Sequence, residues 1–147
     1  MSNFQSNIFG QTLVAMITPM HDDGEVDWKS TEALMDYLVS NGADGLVLTG
    51  TTGETSTLTD AEKLKLVEVG KSVANGRAKI ITGGGSNETA HAIQLYKLSE
   101  KAGADGIMVV TPYYNKPTQA GVLTHFRMIA DATDLPVILY DIPGRAG

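Results

Sequence analysis

Short apolar runs alternate along the chain with longer segments whose apolar residues recur at helical spacing. The runs are apolar at successive positions, which is typical of parallel strands covered by helices on both faces. They predict five strands, at Thr12–Ile17, Gly45–Thr49, Lys79–Gly83, Gly106–Thr111 and Pro136–Asp141. The segments between them predict four helices, at Asp27–Asn41, Asp60–Ala74, Glu88–Ala102 and Gln119–Asp131. The pattern indicates an α/β chain of four βα units plus a fifth strand.

The second predicted helix carries both a start signal and an apolar face. Thr59 stands three residues before Glu62, which is the spacing of a capping box, where each side chain accepts from a backbone N–H of the other residue. Leu64, Val67 and Val73 recur at helical spacing. We therefore expect that this face packs on the sheet.

One sequence pattern occurs twice, as GADGLVLTG from Gly42 and as GADGIMVVT from Gly103, about two βα units apart. In each copy the first Gly predicts a helix end, and Asp-Gly predicts the turn into the next strand. The two copies thus predict two strands of similar sequence that are separated by one other strand. This arrangement suits a barrel, in which the side chains of alternate strands fill the same layer of the interior. The alternative is a doubly wound open sheet, but the residues after the first strand, Thr18-Pro19-Met20-His21, lack its glycine-rich fingerprint.

The length predicts half of such a barrel. The chain has 147 residues, whereas a closed (β/α)8 barrel takes about 250. We predict an α/β fold, a (β/α)8 TIM barrel, of which this chain covers about four βα units plus strand five. Residues 1–147 are then the N-terminal half of a single barrel domain.

Composition excludes several classes of function. A net charge of −6 without a Lys/Arg cluster argues against binding of nucleic acid. The chain has no cysteine, which excludes disulfides and thiolate metal sites and fits a reducing compartment. The apolar runs are too short to span a membrane, and the first residues, MSNFQSNIFG, lack the features of a signal peptide. We expect a cytoplasmic protein.

Candidate chemistry lies in the loops that follow the strands, because barrel active sites form at the C-terminal ends of strands. These loops are rich in hydroxyl groups and glycine, and they are poor in histidine and carboxylate. They comprise Thr18-Pro19, Gly50–Glu54, Gly83–Asn87, Pro112–Asn115 and Ile142–Arg145. His21, His91 and His125 lie far apart in the sequence without ligand spacing, so we expect no metal site.

The GTTGE loop and Arg145 are candidate binding groups for carboxylates. Thr51 and Thr52 supply adjacent hydroxyls beside glycine-flanked N–H groups, which together can hold a small anion. The alternative is a turn that these hydroxyls order locally. Arg145 offers a guanidinium fork for a second carboxylate, although a surface arginine is usually only solvated.

Three of the five tyrosines, Tyr113, Tyr114 and Tyr140, fall at predicted strand ends. A phenol titrates near pH 10 unaided, so a tyrosine that transfers protons at neutral pH needs a relay of hydroxyls. Thr52 can link such a relay because a hydroxyl both donates and accepts. The alternative is that these rings only pack over the barrel mouth.

Three ordered motifs make the chain similar to the dihydrodipicolinate synthase family: GTTGE at Gly50–Glu54, TPYYNKP at Thr111–Pro117 and YDIPGR at Tyr140–Arg145. The resemblance covers the chain from about Phe9. It implies a barrel lyase that needs no cofactor and condenses pyruvate with L-aspartate 4-semialdehyde. That condensation is the first committed step of lysine and diaminopimelate biosynthesis.

The resemblance also implies roles for individual residues. Thr51 and its neighbouring N–H groups bind the pyruvate carboxylate. Thr52, Tyr140 and Tyr114 form the proton relay, in which Tyr114 reaches into the neighbouring subunit's site across a tight dimer, two such dimers making a homotetramer. Arg145 receives the carboxylate of the semialdehyde.

The family's nucleophile is a lysine at the end of the sixth strand, which forms a Schiff base with pyruvate. The present sequence ends after the predicted fifth strand. None of its eight lysines falls at a matching position. We therefore expect the 147 residues alone to be catalytically inert.

Other functions stay open at this point. The same resemblance admits another pyruvate-dependent aldolase, similar to N-acetylneuraminate lyase. The chain by itself can also be a non-catalytic half-barrel or a module that binds pyruvate without turnover.

Feedback by lysine is a further expectation from the resemblance. Asn87 and Tyr113 match the regulatory pocket of lysine-sensitive relatives, whereas Asp60, Lys63 and His91 depart from it. A cationic Lys63 repels the ammonium groups of lysine, so we expect weak inhibition or none.

Overall fold

Strands and helices alternate along residues 8–146, which a computed structural model describes with the exception of the side chain of Arg145. The strands are β1 Leu13–Ala15, β2 Gly45–Leu48, β3 Lys79–Thr82, β4 Gly106–Val110 and β5 Val137–Tyr140. The helices are α1 Trp28–Ser40, α2 Asp60–Ala74, α3 Thr89–Lys101, α4 Gln119–Ala130 and α5 Pro143–Ala146. None of these described helices has the length and apolar character needed to cross a membrane.

The five strands form one sheet in the order β1-β2-β3-β4-β5, and every neighbouring pair is parallel. A doubly wound sheet reverses its strand order at a switch point, whereas a barrel adds each new strand beside the last. The order therefore confirms the predicted fold class, with five parallel strands forming a half-barrel. Each predicted strand contains an observed strand, and the four predicted helices agree with α1 to α4 within one residue at each end.

The start of α2 is the predicted capping box. The Glu62 N–H donates to the Thr59 hydroxyl over 3.3 Å, and the Thr59 N–H donates to the Glu62 carboxylate over 2.8 Å. These bonds satisfy N–H groups that a helix start leaves without intrahelical partners. The local sequence thus determined where this helix begins.

The predicted apolar face of α2 was wrong in part. Val67 is fully buried, but its buried neighbours are Leu66, Gly70 and Ala74, while Leu64 and Val73 are only half-buried. A Cβ added at Gly70 would lie 3.0 Å from the Leu48 side chain and 3.2 Å from that of Ile80. The buried face of α2 thus combines two small residues, Gly70 and Ala74, with two apolar residues, Leu66 and Val67. A search for large apolar residues finds only part of such a face.

Two apolar clusters fill the space between the sheet and the helices. The larger joins β2 and β3 to α1 and α2, with Met35, Leu46, Leu66, Val67 and Ile80 among its fully buried members. The smaller joins β4 to α3 and α4, and its buried members are Ala92, Tyr96, Ile107, Val109 and Ile129. The outward side chains of the strands therefore form the core beneath the helices, and the alternate side chains line the concave face.

Coverage of both strand faces, as predicted for all five strands, holds only at the centre of the sheet. All four residues of β2 are buried, whereas Leu13 in β1 and Leu139 in β5 are exposed. β1 and β5 are the two edges, and each has a strand neighbour on one side only. An apolar strand is buried on both faces only where its neighbours and their helices cover it.

The repeated Asp residues occupy equivalent positions and make equivalent bonds. Asp44 accepts from the backbone N–H groups of Gln11 and Thr12 over 2.8 and 2.9 Å, and Asp105 accepts from that of Ile80 over 2.8 Å. Each carboxylate thus fastens the strand before it to its own strand. For Asp44, these bonds lower the carboxyl pKa from its ordinary value.

The glycines of the repeat serve two purposes. Gly42 and Gly103 follow the ends of α1 and α3 with φ of +99° and +97°, a conformation that favours glycine. Gly45 and Gly106 begin β2 and β4 on the concave side, where an added Cβ would lie 2.7 Å from Leu13 and 2.5 Å from the Phe9 ring. The repeat therefore encodes both the helix ends and the close packing at the bottom of the half-barrel.

Candidate active site

A cavity of about 400 Å³ opens at the C-terminal ends of the strands. Its walls come from the loops after β2, β3, β4 and β5 and from the concave face of β4. The lining residues are Gly50, Thr51, Thr55, Ser56, Gly83, Gly85, Met108, Val110, Tyr113, Tyr140 and Ile142. The cavity therefore lies where barrel enzymes place their chemistry.

The loop Gly50–Glu54 is a tight turn that leaves its central groups available. The Gly53 N–H donates to the Gly50 carbonyl and the Glu54 N–H to that of Thr51, each over 3.1 Å. Within residues 8–146, no hydrogen bond uses the N–H or the hydroxyl of Thr51 or Thr52. Both side chains are exposed, and Thr51 lines the cavity. Free donors on consecutive residues are what an anion-binding turn requires.

Tyr140 ends β5 and lines the cavity with a half-buried side chain. Its backbone is fastened to β4, since the Thr111 N–H donates to the Tyr140 carbonyl over 3.0 Å. The Thr111 hydroxyl donates to the Asp141 carboxylate over 3.1 Å, on the residue that follows. These bonds place the phenol of Tyr140 at the cavity wall.

Tyr113 and Tyr114 are adjacent but differ in position. Tyr113 lines the cavity, whereas Tyr114 has φ +69° and is 89% exposed. Asn87 holds their loop, because its amide donates to the Tyr113 carbonyl over 3.3 Å and to the Asn115 side chain over 3.1 Å. The left-handed backbone thus turns the Tyr114 ring to solvent beside the cavity.

Of the three residues of the predicted relay, only one lines the cavity. Tyr140 lies at the cavity, but Thr52 and Tyr114 are not among the lining residues. In the described part of the chain, no hydrogen bond joins the hydroxyls of these three residues, so the relay stays a prediction.

The backbone of Arg145 lies in α5, a short helix where the sequence predicted a loop, and its side chain lies outside the described residues.

The sequence did not point to the apolar wall of the cavity. Met108 and Val110 line it from β4, whereas Ile107 and Val109 face the helices, so strand alternation was the signal for this wall. Thr55 adds a buried hydroxyl that has no partner within residues 8–146. The cavity therefore combines an apolar wall with a few polar groups, as is typical of small-molecule sites.

Tyr96 supports this wall from the helix side. Its ring is 1% exposed, and its hydroxyl donates to the Met108 carbonyl over 2.8 Å. Burial raises the pKa of the Tyr96 phenol well above its ordinary value, so the group stays a donor. This bond connects α3 directly to the strand that lines the cavity.

A separate charged cluster lies at the start of α2. The carboxylate of Asp60 is 2.6 Å from His91 Nε2 and 3.3 Å from Lys63 Nζ. The hydrogen bond with His91, followed by that with Lys63, lowers the carboxyl pKa of Asp60. The Lys63 side chain is only 12% exposed, so its cation is held close to this carboxylate.

Comparison with known proteins gives consistent matches. The profile of the Dihydrodipicolinate synthetase family matches residues 8–147. The 4-hydroxy-tetrahydrodipicolinate synthases of Acidothermus cellulolyticus and Bacillus subtilis are 54% and 51% identical over 95% and 93% of this chain. Those alignments cover 45% and 47% of the two relatives. The chain thus spans about half the length of the curated relatives it matches.

Solved structures agree in fold as well as in sequence. Dihydrodipicolinate synthase from Cyanidioschyzon merolae, with lysine bound, matches with a TM-score of 0.92 and 48% identity, over 95% of this chain and 48% of that chain. The enzyme from Acinetobacter baumannii, complexed with pyruvate, matches with a TM-score of 0.90 and 48% identity, over 92% and 47% of the respective chains. Because the family profile covers all but the first seven residues, the chain belongs to the dihydrodipicolinate synthetase family.

Proposed function

We propose that this chain is part of a 4-hydroxy-tetrahydrodipicolinate synthase, a lyase of lysine and diaminopimelate biosynthesis that condenses pyruvate with L-aspartate 4-semialdehyde. The observation that carries this proposal is the pair of consecutive residues Thr51 and Thr52 after β2, whose N–H and hydroxyl groups make no hydrogen bond within the described part of the chain. Unpaired N–H and hydroxyl donors on consecutive residues suit a small carboxylate such as that of pyruvate. The related Acinetobacter baumannii enzyme has been solved with pyruvate, which supports this choice.

The chemistry begins with a lysine amine that attacks the pyruvate carbonyl. Loss of water gives an iminium, and loss of a methyl proton gives an enamine that attacks the aldehyde of the second substrate. All eight lysines lie within the described residues, and none lines the cavity. We therefore infer that the nucleophile comes from outside these 147 residues, and that the chain alone is inert.

The proposed relay moves the protons of these steps. Tyr140 donates and accepts at the reacting carbon, and Thr52 passes the proton between hydroxyls. Tyr114 completes the relay in the site of a neighbouring subunit, and its 89% exposure beside the cavity supports such a crossing. Arg145 receives the carboxylate of the semialdehyde.

The proposed assembly is a homotetramer built as a dimer of tight dimers, in the cytoplasm. The absence of cysteine fits that reducing compartment. A monomeric dihydrodipicolinate synthase variant also matches this chain, at 42% identity, so the assembly needs a direct measurement. Sedimentation of the full-length protein should give four copies. Tyr114→Phe should then lower kcat and leave the sedimentation coefficient unchanged.

The test of the activity is reduction with borohydride in the presence of pyruvate. The full-length protein that contains this chain should gain a covalent pyruvate adduct, and the 147-residue chain should not.

Thr51→Val should raise the KM for pyruvate about tenfold or more, because hydrogen bonds to charged groups contribute about 1.5–3 kcal/mol. Thr57→Val is the matched control, since the Thr57 hydroxyl donates to the Glu54 carbonyl and does not line the cavity.

Two outcomes would contradict the proposal. Cleavage of N-acetylneuraminate without turnover of aspartate semialdehyde would assign the chain to a lyase of the N-acetylneuraminate type. Binding of pyruvate without an adduct would make it a sensing module.

We also propose that lysine inhibits this enzyme weakly or not at all. The related Cyanidioschyzon merolae enzyme has been solved with lysine bound. In the present chain, Lys63 already pairs with the carboxylate of Asp60, to which His91 is also hydrogen-bonded, and the positive charge of Lys63 repels an ammonium group. Titration of the full-length enzyme with lysine checks this, and half-inhibition at micromolar concentrations would contradict it. Lys63→Ala should increase the inhibition.

A further inference from the structure

The residue before the anion-binding turn has an unusual backbone. Thr49 follows β2 with φ +55° and is 1% exposed. A β-branched residue rarely adopts this left-handed conformation, because its Cβ substituents crowd the backbone. Such conformations persist only where the surroundings enforce them, and they are concentrated at functional sites.

A buried hydrogen bond holds this conformation. The Thr49 hydroxyl donates to the Leu48 carbonyl over 2.7 Å, and it lies 3.0 Å from the hydroxyl of Thr82 on β3. A hydroxyl has only one hydrogen to donate, so Thr82 is the donor of the second bond. Thr82 is also 1% exposed, which shields the pair from water. The two hydroxyls thus connect the ends of β2 and β3 beneath the turn.

The neighbouring loops are packed closely against Thr49. An added Cβ at Gly84 would lie 2.9 Å from the Thr49 hydroxyl oxygen, and one at Gly53 would lie 3.5 Å from the Thr49 nitrogen. The buried Thr18 hydroxyl donates to the Gly53 carbonyl over 2.8 Å, which fastens the far end of the same turn to the segment after β1. The turn is therefore held at both ends from behind, and Thr49 and Thr82 do not line the cavity.

We propose that Thr49 and Thr82, here named the threonine clamp, are positioning residues that hold the Thr51 and Thr52 donors in the geometry that binds the substrate carboxylate. The inference rests on the proposed function for its kinetic consequence. The left-handed turn at Thr49 determines the direction in which the chain leaves β2, and the Thr82 hydroxyl keeps that turn from relaxing. Preorganised donors bind an anion more tightly than donors that must first be ordered.

The first test removes one hydroxyl of the clamp in the full-length protein. Thr82→Val should raise the KM for pyruvate about tenfold, which corresponds to about 1.4 kcal/mol, with kcat changed less than about twofold. Thr82→Ser restores the hydroxyl and should restore the KM. Thr31→Val is the matched control, because Thr31 is a fully buried threonine on α1 whose hydroxyl has no partner within the described residues. It should leave the KM unchanged.

The second test measures how firmly the turn is held, and it does not need an enzyme assay. Hydrogen exchange of the Gly53 and Glu54 amides, which donate to the Gly50 and Thr51 carbonyls within the turn, should be about tenfold faster in Thr82→Val than in the parent, and unchanged in Thr31→Val. Thr49→Gly, which adopts the same φ without crowding, should show the same acceleration if Thr82→Val does not fold. An unchanged KM together with unchanged amide exchange in the clamp variants would overturn the proposal. A parent protein that does not turn over pyruvate would instead overturn the proposed function, and the exchange measurement would still decide about the clamp.

Discussion

The centre and the edges of the sheet are equally apolar in sequence but differ in burial. Leu46 in β2 and Ile80 in β3 are completely buried, whereas Leu139 in β5 is 61% exposed and Ile17, just after β1, is 56% exposed. The central strands have a strand on each side and the helices α1 and α2 above them, and the edge strands have one strand neighbour. The difference shows that an apolar sequence makes the side chains of a strand suitable for burial, whereas the neighbouring strands and helices determine whether those side chains are buried.

The largest expected effect is the difference in free energy of unfolding between truncating a side chain of a central strand and truncating one of an edge strand. Ile80→Ala should lower the free energy of unfolding by about 2–5 kcal/mol, because it removes buried methyl groups and leaves a cavity. Leu139→Ala in the same 147-residue chain should change it by less than about 0.5 kcal/mol, since that side chain is exposed. Urea denaturation measures both values. Equal losses would show that the edge is covered in solution.

In the full-length protein, the same two variants should differ less in the stability that they lose. In a closed barrel, further βα units lie beside both edges of the half-barrel, and their helices cover the outward face on which Leu139 lies opposite Val109. The cost of Leu139→Ala should then rise toward that of Ile80→Ala.

A smaller effect is expected where α2 touches the central strands. Gly70→Val should lower the free energy of unfolding by about 1–3 kcal/mol, because even a Cβ lies within 3.0 Å of Leu48. Gly121→Ala is the control on α4, where the glycine is exposed and an added Cβ makes only ordinary contacts. It should raise stability by up to about 1 kcal/mol through helix propensity. Thermal unfolding compares the two, and a neutral Gly70→Val would contradict the close packing.

The smallest expected effect is a dependence of stability on pH, which arises from a histidine on one of the helices that cover β4. His125 is 3% exposed; its Nδ1 lies 2.9 Å from the Thr89 hydroxyl, and its Nε2 has no partner within residues 8–146. Burial lowers the His125 pKa below 6.5, so the folded state favours the neutral ring. The stability contributed by this neutral ring is complete above about pH 6.5 and is lost as the pH falls below that value.

The variant His125→Asn checks this dependence. Asparagine keeps a polar atom near the Thr89 hydroxyl and does not titrate. The loss of stability between about pH 7.5 and pH 5.5 should therefore be smaller in the variant than in the parent, as measured by denaturant unfolding at each pH. Equal losses would show that His125 does not contribute.

Much of the candidate site could be predicted from the sequence. Strand ends and hydroxyl-rich loops pointed to Thr51 and Tyr140, and both line the cavity. Met108 was missed, because its contribution depends on which face of β4 points inward. The left-handed backbone at Tyr114 was not predicted, since such a conformation at a tyrosine has no reliable sequence signal.

By itself, the sequence determined the order and type of the elements, the start of α2 at Thr59 and the equivalent turns at Asp44 and Asp105. These features depend on contacts between near neighbours or between adjacent strands, and such contacts leave periodic patterns. Only the tertiary structure decided the packing of α2 through Gly70, the exposure of β1 and β5, and the bond between Thr49 and Thr82. Each of these depends on which side chains approach closely and on what covers a strand, and a local pattern of apolar and polar residues records neither close approach nor burial.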